Sequence, residues 1–247
     1  FTIFVLNIGS MGRAFEFRKE RKFKRWASMS KQFTRCSKEI IMAVKEGGPS
    51  PESNYRLKLA IQNAKAVNMP KDNVERAIKK ASSKDQADYK TMNYEGYAPH
   101  GIAVMVVTAT DNPTRTVANV RSYFNKYGGS LGTSGSVEFL FEHKSFFKIP
   151  AGDIVIEDFE LEMIDYGLEE VFKLEDEDFL MCYAPFEDFG NMSKGLDEKG
   201  IEAEESGAEY IPTTTKSLSE EEQAEVEKLL EKLEEDEDVQ NVYHTMN

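Results

Sequence analysis

A mixed α+β fold with a helical N-terminal domain is what this sequence predicts, on three observations. Apolar residues recur at helical spacing through the first 81 residues, and short β-branched runs alternate with helical stretches through the rest. Charge changes sign where the two patterns meet. The expected architecture is an N-terminal helical bundle followed by two ferredoxin-like α/β modules, the third domain inserted in the second. The corresponding segments are an extension at residues 1–10, a basic helical domain at 11–81, a discontinuous middle domain at 92–153 plus 216–247, and an inserted domain at 154–215. A plain sequential order of three domains is the alternative.

The helical part opens on the densest run of cations in the chain: Arg13, Arg18, Lys19, Arg21, Lys22, Lys24 and Arg25. They interleave with Phe15, Phe17, Phe23 and Trp26, against only Glu16 and Glu20. Such an arm suits phosphate neutralisation and base stacking, while its aromatics can equally dock on the helices that follow. Phe33, Cys36, Ile40 and Val44 then mark a helix, with Lys31, Arg35 and Lys38 elsewhere on its turn. Gly47-Gly48-Pro49 stops it. A second helix carries Leu57, Ala60, Ile61 and Ala64 on one face, and Asn68-Met69-Pro70 breaks it. A third begins near Lys71, with Val74, Ala77 and Ile78 inward and Lys71, Arg76, Lys79 and Lys80 outward. The last two form a helix–turn–helix-like pair.

Ser82 to Thr91 is polar and reads as a linker. Gly101–Thr108 is a compact β-branched run expected to be a central strand. Asp111-Asn112-Pro113 turns the chain and caps a helix that stops at Gly128-Gly129. Val137–Phe141 and Ser145–Ile149 are expected to be two strands of a hairpin completing β-α-β-β. Ser219 followed by three glutamates opens a helix with Leu229, Leu230 and Leu233 inward, and Val239–Met246 closes the middle domain as a strand. Between these lie a helix at Phe159–Tyr166, strands at Glu170–Leu174 and Phe179–Ala184, a helix at Asp188–Lys199 and a strand at Glu209–Thr213.

The formal net charge of −13 argues against a polyanionic partner for the chain as a whole. Residues 11–80 nonetheless hold 18 Lys/Arg against 7 Asp/Glu, a net of +11, while residues 81–247 hold 13 against 37, a net of −24. A basic head on an acidic body implies separate partners for each. Cys36 and Cys182 fit neither a disulfide framework nor a thiolate zinc site, and two unpaired thiols suit the cytoplasm. No stretch is apolar enough to span a membrane, and the start of the chain lacks the features of a signal peptide.

Chemistry-bearing patterns are sparse. His100, His143 and His244 lie in no metal-binding spacing, and no nucleotide-binding or hydrolase fingerprint occurs. The acidic runs at 175–178 and 234–238 match no calcium loop and read as solvated turns. The Gly-rich stretch Gly128–Ser136 can present backbone N–H groups to a phosphate, or simply stop a helix and enter a strand. No catalytic residue, metal ligand or cofactor site is expected, and the chain is not expected to be an enzyme.

Three blocks, at residues 47–80 (GGPSPESNYRLKLAIQNAKAVNMPKDNVERAIKK), 94–106 (YEGYAPHGIAVMV) and 110–139 (TDNPTRTVANVRSYFNKYGGSLGTSGSVEF), resemble the YebC/PmpR family in order and spacing. The resemblance runs from Met11 to the C-terminus. It departs at the start, where Met11-Gly12-Arg13-Ala14-Phe15 replaces the common MAGHSKW-like opening. The resemblance implies a helical first domain, two α/β domains and non-catalytic control of gene expression. Mitochondrial members are translational activators of cytochrome c oxidase. It supplies Asp111, Asn112, Arg115, Gly132, Ser134 and Gly135 as motif positions without a role.

The resulting expectation is a DNA-binding transcriptional regulator that uses the cations of its first domain. The near alternative is a translation factor bound to ribosomal RNA, and a third reading is a small-molecule-sensing ferredoxin-like module. No heptad seam is present to make a dimer, so a monomer is favoured.

Overall fold

A computed structural model describes residues 11–83, 88–174 and 178–247, with side chains from residue 29 onward. The extension at 1–10 and most of the acidic run at 175–178 fall outside the described residues. Seven α-helices and two four-stranded sheets make up the described fold, a helical domain followed by two sheet modules.

Helix α1 spans Met11–Gly47. The basic segment expected as an arm is therefore the first part of one continuous helix. The reason is local: between Gly12 and Gly47 no glycine or proline occurs, and Glu20 precedes Lys24 by one helical turn. Only the last part of α1 carries described buried positions, from Cys36 to Val44, and these pack on α2 (Tyr55–Ala66) and α3 (Lys71–Ala81). Asn54 joins two helix ends at once. Its Oδ1 accepts from the N–H of Leu57 at 3.0 Å, capping α2, while its Nδ2 donates to the carbonyls of Ala43 and Gly48, both at 2.7 Å. A Cβ at Gly47 would meet that side chain at 2.7 Å, so the turn requires glycine there.

The first sheet contains β1 (Lys90–Tyr97), β2 (Ala103–Thr110), β3 (Ser130–Leu131) and β8 (Val239–His244), in the order β3-β1-β2-β8, every neighbour antiparallel. Helices α4 (Pro113–Lys126) and α7 (Glu220–Glu234) cover one face, with Val120, Phe124, Leu229 and Leu233 fully buried. Ser219 and Glu222 form the capping box that starts α7. The second sheet contains β4 (Phe141–Pro150), β5 (Glu170–Lys173), β6 (Phe179–Pro185) and β7 (Glu205–Pro212), in the order β5-β6-β4-β7. With α5 (Ile156–Met163) and α6 (Phe189–Glu198) it has the β-α-β-β-α-β connectivity of a ferredoxin-like unit. The chain leaves the first sheet after β3, builds the second, and returns through α7 and β8.

Two expectations are corrected. Strand β1 occupies residues read partly as linker, because only Tyr94, Glu95 and Gly96 of it are buried and no apolar alternation marks it. Val137–Phe141 is not a strand: Glu138–Leu140 is a 3₁₀ turn, and Phe141–Pro150 is one strand, not half of a hairpin. The N–H groups of Val137 and Glu138 are taken by the Glu95 carboxylate, which prevents strand pairing there. Strand β4 then sits in the centre of the second sheet between β6 and β7, so the passage between the modules falls near residue 140 rather than 153.

The helical domain touches both modules. From α2, Lys58 pairs with Asp197 at 2.9 Å and Asn63 donates to the Ser206 carbonyl at 2.8 Å. The two sheets meet through Met105, Phe141 and Tyr243, where the Tyr243 hydroxyl donates to the Ala208 carbonyl at 3.2 Å. Among the described residues no helix is long and apolar enough to cross a membrane.

Candidate nucleic-acid interface

An open groove of about 620 Å³ runs between α1 and α3. Its floor is apolar, from Phe33, Ile41, Met69 and Ala77, and its rim is polar: Ser30, Thr34, Ser37, Asn73, Arg76 and Lys80. The amphipathic pattern of α3 forces this arrangement. Val74, Ala77 and Ala81 turn into the core, so Arg76, Lys79 and Lys80 project to solvent. Among the described residues these three cations have no carboxylate partner, whereas Lys71 lies 3.6 Å from Glu75. Hydroxyls beside unpaired cations are the groups that hold phosphate oxygens.

Arg35 and Lys38, counted with the binding cations by sequence, are placed otherwise. Arg35 donates to the carbonyls of Val239 at 3.1 Å and Glu234 at 3.0 Å, and burial lowers its pKa. Lys38 is buried, and its Nζ donates to the carbonyls of Ala109 at 2.9 Å and Glu237 at 2.7 Å and to Asp238 Oδ1 at 3.0 Å. Both dock the helical domain on the first sheet module and are not available to phosphate. Lys31 is half-buried and lies near Glu235, whose carboxyl is lowered first by Lys232 and in smaller part by Lys31. Arg13, Arg18, Lys19, Arg21, Lys22, Lys24, Arg25 and Trp26 lie on α1, with side chains outside the described residues.

The motif positions acquire structural roles. Asn112 caps α4 by accepting from the N–H of Arg115 at 3.1 Å. Arg115 bridges Asp111 at 3.0 Å and Asp238 at 2.8 Å. Asp238 also accepts from the hydroxyls of Thr116 at 2.8 Å and Thr110 at 3.2 Å. Burial alone would raise this carboxyl, but hydrogen bonds from Arg115, Lys38 and Thr116 hold it below its ordinary value. A second cleft, of about 590 Å³, adjoins the first at Thr34, Lys38 and Tyr89 and is lined on its far side by Glu235, Asp236 and Glu237. The cationic surface therefore ends at the junction, and the acids beyond it disfavour a polyanion.

Three N–H groups of the Gly-rich loop and the turn after it are already taken. Their anion is internal: the carboxylate of Glu95, 4% exposed, accepts from the N–H groups of Gly135 at 2.6 Å, Val137 at 2.7 Å and Glu138 at 2.9 Å. Gly132 donates to the Glu95 carbonyl at 2.7 Å, Gly135 takes φ +81°, and Ser134 is exposed. Sequence reading missed Glu95 and Asp238, the two buried carboxylates that organise these regions. The signal for the first was a run of N–H groups in want of an anion. The second lay unmarked in an acidic run.

Comparison with known proteins agrees with this architecture. A family model described as the TACO1/YebC protein N-terminal domain matches residues 13–84, and one described as the TACO1/YebC second and third domain matches residues 89–246. A protein of Flavobacterium psychrophilum named a "Probable transcriptional regulatory protein" is 64% identical over 236 residues, covering 96% of this chain and 99% of that one. A protein of Cytophaga hutchinsonii with the same name is 53% identical over 236 residues, covering 96% and 98%. The crystal structure of a conserved hypothetical protein from Aquifex aeolicus superposes with a TM-score of 0.73 at 40% identity, covering 88% of this chain and 90% of that one.

Proposed function

The chain belongs to the TACO1/YebC family, and from that premise we propose that it is a non-enzymatic regulator of gene expression that binds nucleic acid through its helical domain. The observation that carries this reading is the exposed set Arg76, Lys79 and Lys80, unpaired among the described residues, beside the hydroxyl-rimmed groove of α1 in a molecule whose net charge is −13. Among the described residues these cations have no carboxylate partner, which leaves them able to neutralise phosphates. The names of the relatives support transcriptional control, and duplex DNA is the ligand that this reading assigns to the helical domain.

The non-enzymatic part of this reading is supported by the surroundings of both cysteines and of His143. Burial pushes the Cys36 thiol up to about 11 and the Cys182 thiol to about 12, opposite to an activated nucleophile. His143 is stacked between Phe186 and Tyr210, with ring centroids 4.0 and 4.4 Å away.

A second reading, binding to structured RNA on the ribosome, is favoured by the helical continuity of α1. Its first half then carries seven cations with Phe15, Phe17, Phe23 and Trp26 on a single rod, a composition suited to backbone contact with stacking. Fluorescence anisotropy of the full chain against labelled duplex DNA and a labelled RNA hairpin of equal charge, each titrated across salt concentration, tests both readings. DNA binding that falls steeply with salt and weakens in R76A/K80A supports the first. RNA preference unaffected by R76A/K80A but lost in R18A/R21A/R25A supports the second. No binding of either ligand overturns both.

A further inference from the structure

The second sheet has one covered face and one open face. Phe147, Ile149, Leu180, Cys182 and Ala184 turn toward α5 and α6 and are buried. The period of two along each strand sends the alternate residues the other way: Phe146 on β4, Phe179, Met181 and Tyr183 on β6, and Phe172 on β5. None of these five is buried, Phe172 is 40% exposed, and none belongs to the core cluster that α5 and α6 form with the other face. The Phe172 and Tyr183 rings stack at 6.2 Å.

Carboxylates surround the rings. Glu170 stands opposite Tyr183 in the β5–β6 register, and Glu209 accepts from the Tyr183 hydroxyl at 2.7 Å. Burial raises the Tyr183 hydroxyl pKa, and Glu209 and then Glu170 add to the rise. Glu205 stands opposite Lys148 on β7. The cations on this face are engaged: Lys144 pairs with Glu142 and Glu169, and Lys148 lies 4.6 Å from the Phe179 ring centroid. Residues 141–212 hold 5 lysines, no arginine and 21 Asp/Glu, a net of −16. Nucleic acid would be repelled here despite the exposed aromatics, because phosphate attraction supplies most of its affinity.

We infer that this open face is a docking surface for an arginine-rich protein segment. A guanidinium stacks on an aromatic face while donating in its plane to a carboxylate. The ring pair Phe172–Tyr183, flanked by Glu170 and Glu209, presents both groups together. Met181 and Phe146 supply the apolar floor for the aliphatic stems. The molecule then carries two surfaces of opposite preference, a cationic helical domain for nucleic acid and an anionic sheet for a basic protein.

The test is fluorescence anisotropy of the full chain against a labelled peptide of alternating arginine and serine and its lysine counterpart. The arginine peptide is expected to bind about two- to fivefold tighter than the lysine peptide, the range of one or two exposed ring contacts. Phe172→Ala removes that preference, and Glu170→Gln weakens both peptides. Phe172 is half-exposed on an edge strand, so a thermal melt of the variant serves as the folding control. Glu157→Gln on α5, which removes the same charge from the helix-covered side, leaves the preference intact. The inference is overturned by equal affinity for the two peptides, or by a loss in Glu157→Gln as large as in Glu170→Gln. A single-stranded oligonucleotide whose binding depends on Phe172 also overturns it, as does self-association that Phe172→Ala abolishes.

Discussion

Lys38 and Asp238, 200 residues apart in sequence, meet at 3.0 Å with side chains 8% and 6% exposed. The lysine comes from α1 and the aspartate from the turn that leads into β8, so one ion pair fastens the helical domain to the first sheet module. Further partners hold both groups, the Ala109 and Glu237 carbonyls on the lysine and Arg115, Thr110 and Thr116 on Oδ2 of the aspartate. Removing one partner leaves a buried charge uncompensated. Asp238→Asn is expected to lower the unfolding free energy by about 3–5 kcal/mol, measured as a shift of the urea midpoint. Lys38→Met should cost less, because Arg115 and the two threonines still hold the carboxylate.

The same carboxylate gives the fold an acid limit. Its pKa is depressed in the folded state, where Arg115, Lys38 and Thr116 outweigh burial. Its contribution is therefore present above the unfolded value of about 3.8 and is lost as pH falls through the lower folded value. Acid titration followed by circular dichroism should show stability falling below about pH 4. Asp238→Asn, already destabilised at neutral pH, should lose less over that window than the native chain.

Glu95 plays the corresponding part for the Gly-rich loop. Three N–H groups converge on its two oxygens, and a neutral amide offers only one acceptor. Glu95→Gln is expected to cost about 2 kcal/mol, within the range for hydrogen bonds to a charged group. Hydrogen exchange at the amides of Gly135, Val137 and Glu138 should accelerate more than exchange in β2. Equal acceleration at both places would mean that Glu95 supports the whole sheet and not the loop.

What could be read from the sequence divides along the range of the forces involved. The capping box at Ser219, the Asn112 cap, the Gly48 stop and strands β5 and β6 are local patterns, and each is legible from a few neighbouring residues. The sequence pattern marks strand β4 but not its sheet, because Phe147 and Ile149 specify a buried strand without specifying its neighbours. Strand β1 escaped since its buried residues include a glutamate and a glycine, which no hydrophobic pattern flags. Asp238 was invisible for a stronger reason. In sequence it is one of five consecutive acids, and only the arrival of Lys38 and Arg115 from distant elements distinguishes it.

The cations of the helical domain separate on the same grounds. Sequence treats Arg35 and Arg76 alike, yet Arg35 spends its guanidinium on the Glu234 and Val239 carbonyls while Arg76 faces solvent on the groove rim. Arg35→Ala should thus lower stability and leave the salt dependence of nucleic-acid binding unchanged at temperatures where the variant is folded. The double change R76A/K80A should do the reverse. Its melting temperature should stay within a degree or two, as expected for exposed side chains that pair with none of the described carboxylates. Its slope of log affinity against log salt should shrink by about 2, close to one unit for each phosphate contact removed. A slope that changes with Arg35 but not with Arg76 and Lys80 would move the binding surface from the groove to the domain junction.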